Sequence, residues 1–129
     1  YMSFSHGDLW TDEETKKVIE YLKLDEVEGL SILGGEPFEN TLDLLEVVKE
    51  IRKHSDKTIW VYSGFTYEIL SSIPVARELL SYCDVLVDGL FVEEKKDLRL
   101  KFRGSSNQRV IDVQKSLNDG KLAYMDQYM

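Results

Sequence analysis

At 129 residues, with 43% apolar and 31% charged side chains, the chain can bury one core but falls short of a complete large barrel. Its formal net charge of −8 argues against a nucleic-acid partner, because a phosphate backbone attracts basic patches. No apolar run approaches the length needed to span a bilayer, so no membrane partner is expected either.

The chain opens at Tyr1-Met2-Ser3-Phe4, with neither a signal peptide nor an obvious initiator, and is expected to begin in mid-domain. Thr11-Asp12-Glu13-Glu14 has the form of a capping box, in which the Thr11 hydroxyl serves the amide of Glu14 and the Glu14 side chain reaches back. A helix should follow to about Leu24 and bury Val18, Tyr21 and Leu22. Leu30 to Leu33 reads as a strand stopped by Gly34-Gly35. Asn40 is the expected N-cap of a second helix, with Leu44, Leu45, Val48 and Ile51 at core spacing.

Ile59 to Tyr62 reads as the next strand, closed by Ser63-Gly64. Thr66 should start a short helix that Pro74 interrupts, with Val75 to Tyr82 continuing helically. Val85 to Val87 makes a third strand, ending in Asp88-Gly89. These strands recur about every thirty residues with helices between them, the pattern of right-handed βαβ units. Their nearly unbroken apolar runs fit a parallel sheet covered on both faces. Beyond Glu93 the pattern loosens. Arg99 to Phe102 and Arg109 to Val113 are expected as further short strands flanking the polar turn Gly104-Ser105-Ser106-Asn107. Without repeat or linker, residues 1–129 are expected to form one α/β domain.

One cysteine, Cys83, rules out an internal disulfide and a multi-thiolate metal site within this sequence. It reads as a small buried hydrophobe and fits a reducing compartment. Chemistry is expected instead at the carboxyl ends of the strands, where ligands of parallel sheets gather. Three such ends carry unusual residues: Gly34-Gly35-Glu36-Pro37, Ser63-Gly64 and Asp88-Gly89. Paired glycines let the backbone approach a ligand closely, and Glu36 supplies a carboxylate suited to an ammonium group. Any one of these could equally be a tight strand-to-helix turn; three at one rim favour a site, though their spacing names no ligand.

Gly34-Gly35-Glu36-Pro37-Phe38 resembles the GGEPF segment of radical S-adenosylmethionine enzymes, especially the activases of glycyl-radical enzymes. Trp60 to Glu68, Asp84 to Phe91 and Arg103 to Arg109 are similar to segments of the activating proteins of anaerobic ribonucleoside-triphosphate reductase, in the same order and at roughly the same spacing. The resemblance covers about Gly29 to Ile111 and implies a partial (β/α) barrel with a parallel sheet, lacking its first strand. It further implies a cytoplasmic activase that uses S-adenosylmethionine and a 4Fe-4S cluster. Such an activase takes electrons from a donor protein and installs a glycyl radical on anaerobic ribonucleoside-triphosphate reductase. Residue by residue, it implies that Gly34, Gly35 and Glu36 hold the amino end of S-adenosylmethionine. Ser63 would lie beside its ribose or carboxylate and Asp88 would line the same cavity. Asn107 and Arg109 would face the cofactor or the incoming glycine loop. Plainer roles stand beside these: Asp88 as an N-cap or turn acceptor, Asn107 as a turn former, and Arg109 paired with an acidic residue.

The sequence departs from the family pattern in having no CxxxCxxC loop, whose three thiolates bind the cluster and leave the fourth iron for S-adenosylmethionine. Phe4, Gly7 and Thr11 are similar to the stretch just downstream of that loop, so the cluster ligands are expected upstream of Tyr1. As written, the chain is expected to be unable to perform the redox step. A natural variant without a cluster is the competing explanation. It would be a non-catalytic module that docks to a partner or holds a nucleotide. A third reading, a radical enzyme acting on a different glycyl protein, is disfavoured by the Arg103 to Arg109 segment.

Overall fold

The computed structural model describes residues 2–5, 12–33, 36–90, 93–96 and 107–125. The elements run β1 (Met2–Ser5), α1 (Asp12–Leu22), β2 (Gly29–Leu33), α2 (Thr41–His54), β3 (Thr58–Ser63), α3 (Tyr67–Ser72), α4 (Pro74–Leu80), β4 (Val85–Asp88), β5 (Arg109–Asp112) and α5 (Val113–Asp119). A 3-10 turn, Pro37–Asn40, leads into α2. The expected segments Thr11, Gly34-Gly35, Arg99 to Phe102 and Gly104 to Ser106 lie outside the described residues.

The strands lie in chain order, β1-β2-β3-β4-β5, as an open, mostly parallel sheet. β1 to β4 are parallel, with Ser63 opposite Asp88 across β3 and β4. β5 corrects the expectation of a parallel sheet, because it runs antiparallel to β4 with Arg109 opposite Asp88. A parallel neighbour needs a crossover back to the sheet's amino end. β5 instead starts level with the end of β4, Arg109 opposite Asp88. The free edge of β5 is partly covered by the tail: Met125 N donates to Val110 O at 2.8 Å, and Asp112 N to Ala123 O at 2.9 Å.

The period of two along each strand splits the core between the two faces of the sheet. Leu30, Ile32, Ile59, Val61, Leu86 and Ile111 face the helix layer and join Val18, Leu22, Leu44, Val48, Leu79 and Val113 in the main core. Trp60, Val85, Val87 and Val110 form a smaller cluster on the other face, with Tyr62 and Met125 packed against it. The stripe expected on α2 (Leu44, Leu45, Val48 and Ile51) is buried throughout. On α1 the buried positions are Val18, Ile19 and Leu22, while Tyr21, expected inside, is 52% exposed. Tyr21 lies 300° round the helix from Val18, at the edge of the apolar stripe, and its ring stays at the surface.

Caps explain several boundaries. Thr66 caps α3 by accepting from Ile69 N. Pro74 sits at the start of α4, where its missing N–H costs nothing, so the helix begins at Pro74 rather than at Val75. Asn40 occupies the N-cap of α2 but makes no side-chain cap bond. The Thr41 hydroxyl donates to Phe38 O at 2.7 Å instead, because the preceding 3-10 turn already presents that carbonyl. No helix among the described residues is long and apolar enough to cross a membrane.

Candidate functional site

Parallel pairing in chain order brings the ends of β2, β3 and β4 to one rim, and the sequence puts polar residues there. Glu36 leaves the end of β2, and its carboxylate reaches across to β3. It accepts from Ser63 Oγ at 2.9 and 3.0 Å, from Gly64 N at 2.7 Å, and from Phe38 N at 3.1 Å. Ser63, 6% exposed, completes this group by accepting from Phe65 N at 3.0 Å. A carboxylate taking several amide and hydroxyl donors is a strong, charge-assisted acceptor, and it ties the end of β2 to the end of β3.

One strand further on, Asp88 is 1% exposed and fully engaged. Its Oδ1 accepts from Arg109 Nε at 2.9 Å; its Oδ2 accepts from Arg109 Nη2 at 2.5 Å and from Tyr67 N at 2.7 Å. Arg109 Nη2 also donates to Glu68 Oε1 at 2.6 Å. Hydrogen bonding to Asp88 and then to Glu68 raises the pKa of Arg109. The Arg109 hydrogen bond in turn lowers that of Glu68. A buried carboxylate is tolerated here because a two-pronged guanidinium and a backbone amide meet both of its oxygens.

Asn107 and Gln108 fix the turn after β4. Asn107 Nδ2 donates to Leu90 O at 2.8 Å and Gln108 Nε2 to Gly89 O at 3.0 Å. Gly89 has φ of 99°, a left-handed conformation that a side chain would strain, which accounts for glycine directly after Asp88. Of the sequence-derived site residues, Glu36 and Ser63 touch, Ser63 is register-paired with Asp88, and Asp88 grips Arg109; Asn107 stands beside them against the neighbouring turn. Gly34 and Gly35 lie outside the described residues. The sequence reading missed Glu68 and the amide of Tyr67.

A family model described as a 4Fe-4S single cluster domain matches residues 1–111. Anaerobic ribonucleoside-triphosphate reductase-activating proteins are similar over most of the chain. That of Vibrio cholerae is 40% identical over 111 residues, covering 82% of this chain and 70% of the relative. That of Haemophilus influenzae is 38% identical over the same shares. That of Escherichia coli K12 is 40% identical over 86 residues, covering 64% of this chain and 54% of the relative. The chain belongs to the anaerobic ribonucleoside-triphosphate reductase-activating protein family. No solved structure matches it.

The matched stretch of this activating-protein family member contains the whole rim, from Glu36 to Arg109. It also contains Cys83. Cys83 is fully buried just ahead of β4, at the opposite end of the sheet, and burial pushes its thiol pKa up to about 12. A neutral, inaccessible thiol is a poor metal ligand. Among the described residues, no group of three or more His, Cys, Asp or Glu side chains could hold a metal. A groove of about 610 Å³ lies between α1 and α2, bordered by Thr15, Ile19, Val47, Glu50 and His54. It is set in the helix layer, away from the strand ends, and holds none of the rim residues.

Proposed function

We propose that this chain is the activase that generates the glycyl radical of anaerobic ribonucleoside-triphosphate reductase, with S-adenosylmethionine as its cofactor at the carboxyl-end rim. The observation that carries this reading is the Glu36–Ser63–Gly64 contact. It joins two strand ends within the stretch shared with relatives named as activating proteins of that reductase. The rim chemistry suits the cofactor: Glu36, only partly buried, presents a carboxylate of the kind that accepts from an ammonium group. On this reading the ribose or carboxylate of the cofactor would be held beside the turn after β3. When bound, S-adenosylmethionine supplies the radical chemistry. The chain's own part is to bind and orient it and to keep water out.

The residues of this sequence do not make a thiolate set for a 4Fe-4S cluster, since the single cysteine is buried at the wrong end of the sheet. The role derived for them is therefore limited to binding and positioning. The reading extends to a cytoplasmic setting, an electron donor protein, and a sheet that forms part of a (β/α) barrel within one domain. The reductase's glycine-bearing segment would approach the same rim.

The test uses the native gene product, purified anaerobically and supplied with iron and sulfide. Mixed with S-adenosylmethionine, a reductant and the reductase, it should release 5′-deoxyadenosine and give the electron paramagnetic resonance doublet of a glycyl radical. Cofactor cleavage without that doublet would remove the reductase as target, and absence of both would remove the function.

A further inference from the structure

Two carboxylates from different strand ends grip the same five-residue turn, Ser63 to Tyr67, which joins β3 to α3. At its start, Glu36 accepts from Ser63 Oγ and Gly64 N; at its end, Asp88 accepts from Tyr67 N. Between them, Phe65 N donates to Ser63 Oγ. Three successive fixed points leave the turn little freedom, and the bonds are charge-assisted at both ends.

Parity decides where the side chains go. Ile59, Val61 and Ser63 are alternate residues of β3; Leu86 and Asp88 of β4; Ile111 and Arg109 of β5. Ile59, Val61, Leu86 and Ile111 all belong to the helix-side core. Ser63, Asp88 and Arg109 therefore leave the sheet toward α3, and the amide of Tyr67 at the start of α3 meets Asp88 there. At the same rim, Tyr62 and Val87 leave the opposite face. Asp88 is 1% exposed, both its oxygens are taken, and Arg109 is shared between Asp88 and Glu68.

We propose that Asp88 and Arg109 are positioning residues: they act on the bound cofactor through the Ser63–Tyr67 turn, whose other end Glu36 holds, and do not touch the ligand. This rests on the reading that the rim binds S-adenosylmethionine.

Two measurements on the native gene product separate the proposal from that reading. The first is backbone amide hydrogen exchange without cofactor, on Asp88→Asn. The Tyr67 amide should lose at least about tenfold in protection, while Val48 and Val61 keep theirs. The second is S-adenosylmethionine affinity, which should weaken at least about tenfold in Asp88→Asn and by less in Arg109→Lys, which keeps the charge but loses the two-pronged grip. Weakened affinity with Tyr67 protection intact would mean that Asp88 meets the ligand directly, and would overturn the proposal. Lost protection with affinity unchanged would keep the clamp but detach it from the ligand, overturning the proposal and leaving the function itself to the radical assay. Should Asp88→Asn fail to fold, Ser63→Ala removes only a hydroxyl. The Phe65 amide should then lose protection and the affinity should fall together; either change without the other would count against the turn.

Discussion

The two ends of β4 carry the same device with different consequences. Just before the strand, Asp84 accepts from Arg52 Nη2 at 2.7 Å and from Ile59 N at 2.8 Å. At its end, Asp88 accepts from Arg109 and from Tyr67 N. Each is a carboxylate held by an arginine distant in sequence and by a backbone amide, of Ile59 in β3 for Asp84 and of Tyr67 at the start of α3 for Asp88. The amino-end pair is a staple. Arg52 also donates to Tyr82 O at 2.9 Å and Lys57 O at 2.5 Å, binding the end of α2 to the sheet where no ligand is expected. Asp84 keeps 40% of its side chain exposed, whereas Asp88 keeps 1%. An Arg–Asp pair alone therefore does not mark a site. What separates the two is which end of a parallel sheet they occupy and which turn they fix.

Breaking the buried pair should have the largest effect. Asp88→Ala leaves the buried Tyr67 amide without its acceptor and Arg109 with Glu68 alone, and should cost about 3 kcal/mol in urea unfolding while weakening S-adenosylmethionine binding. Arg52→Ala removes charged hydrogen bonds in a wetter setting. It should cost about 1.5 to 3 kcal/mol and leave cofactor affinity unchanged, so loss of affinity there would erase the distinction between the two ends. Glu68→Gln should cost less than about 1 kcal/mol, because that side chain is 60% exposed and its ion pair is screened. The pKa of Glu68 is lowered by Arg109, so its small contribution is present at neutral pH and is lost as pH falls through that depressed value. A pH titration of unfolding on the acid side, compared with the Gln variant, reads it.

Cys83 sits beside the amino-end staple and gives a check with a definite sign. Its thiol is raised from the ordinary 9.0 to about 12, so between those values the unfolded chain has lost a proton that the folded chain retains. Stability from this group is complete below about pH 9 and declines as pH rises toward 12. Cys83→Ala should flatten that decline, and the native thiol should resist a disulfide reagent at pH 8 until denaturant is added. Rapid labelling of the folded protein would contradict its burial.

Much of this was legible in the residues. Leu44, Leu45, Val48 and Ile51 announce α2, Thr66 and Pro74 place the starts of α3 and α4, and polar and glycine residues after three apolar runs point to the rim. Two signals were present but unread. Ser63 and Asp88 share the parity of Ile59, Val61 and Leu86, which alone sends them to the helix side. Asp112 and Gly120 bracket α5 as N-cap acceptor and left-handed C-cap, but its seven residues carry too few apolar positions for a periodic signal. The rest is not local. The antiparallel course of β5, the strand at Met2–Ser5 and the reach of Arg109 to Glu68, 41 residues away, are set by tertiary placement. No window along the chain carries them.

Calorimetric titration of S-adenosylmethionine into the native gene product is the most direct test of a cofactor site at the carboxyl-end rim, comparing Ser63→Ala at one end of the sheet with Arg52→Ala at the other. The dissociation constant should rise about tenfold or more in Ser63→Ala and stay within about twofold of the unmodified protein in Arg52→Ala. Equal changes in both variants, or a change only in Arg52→Ala, would contradict a cofactor site at the carboxyl-end rim.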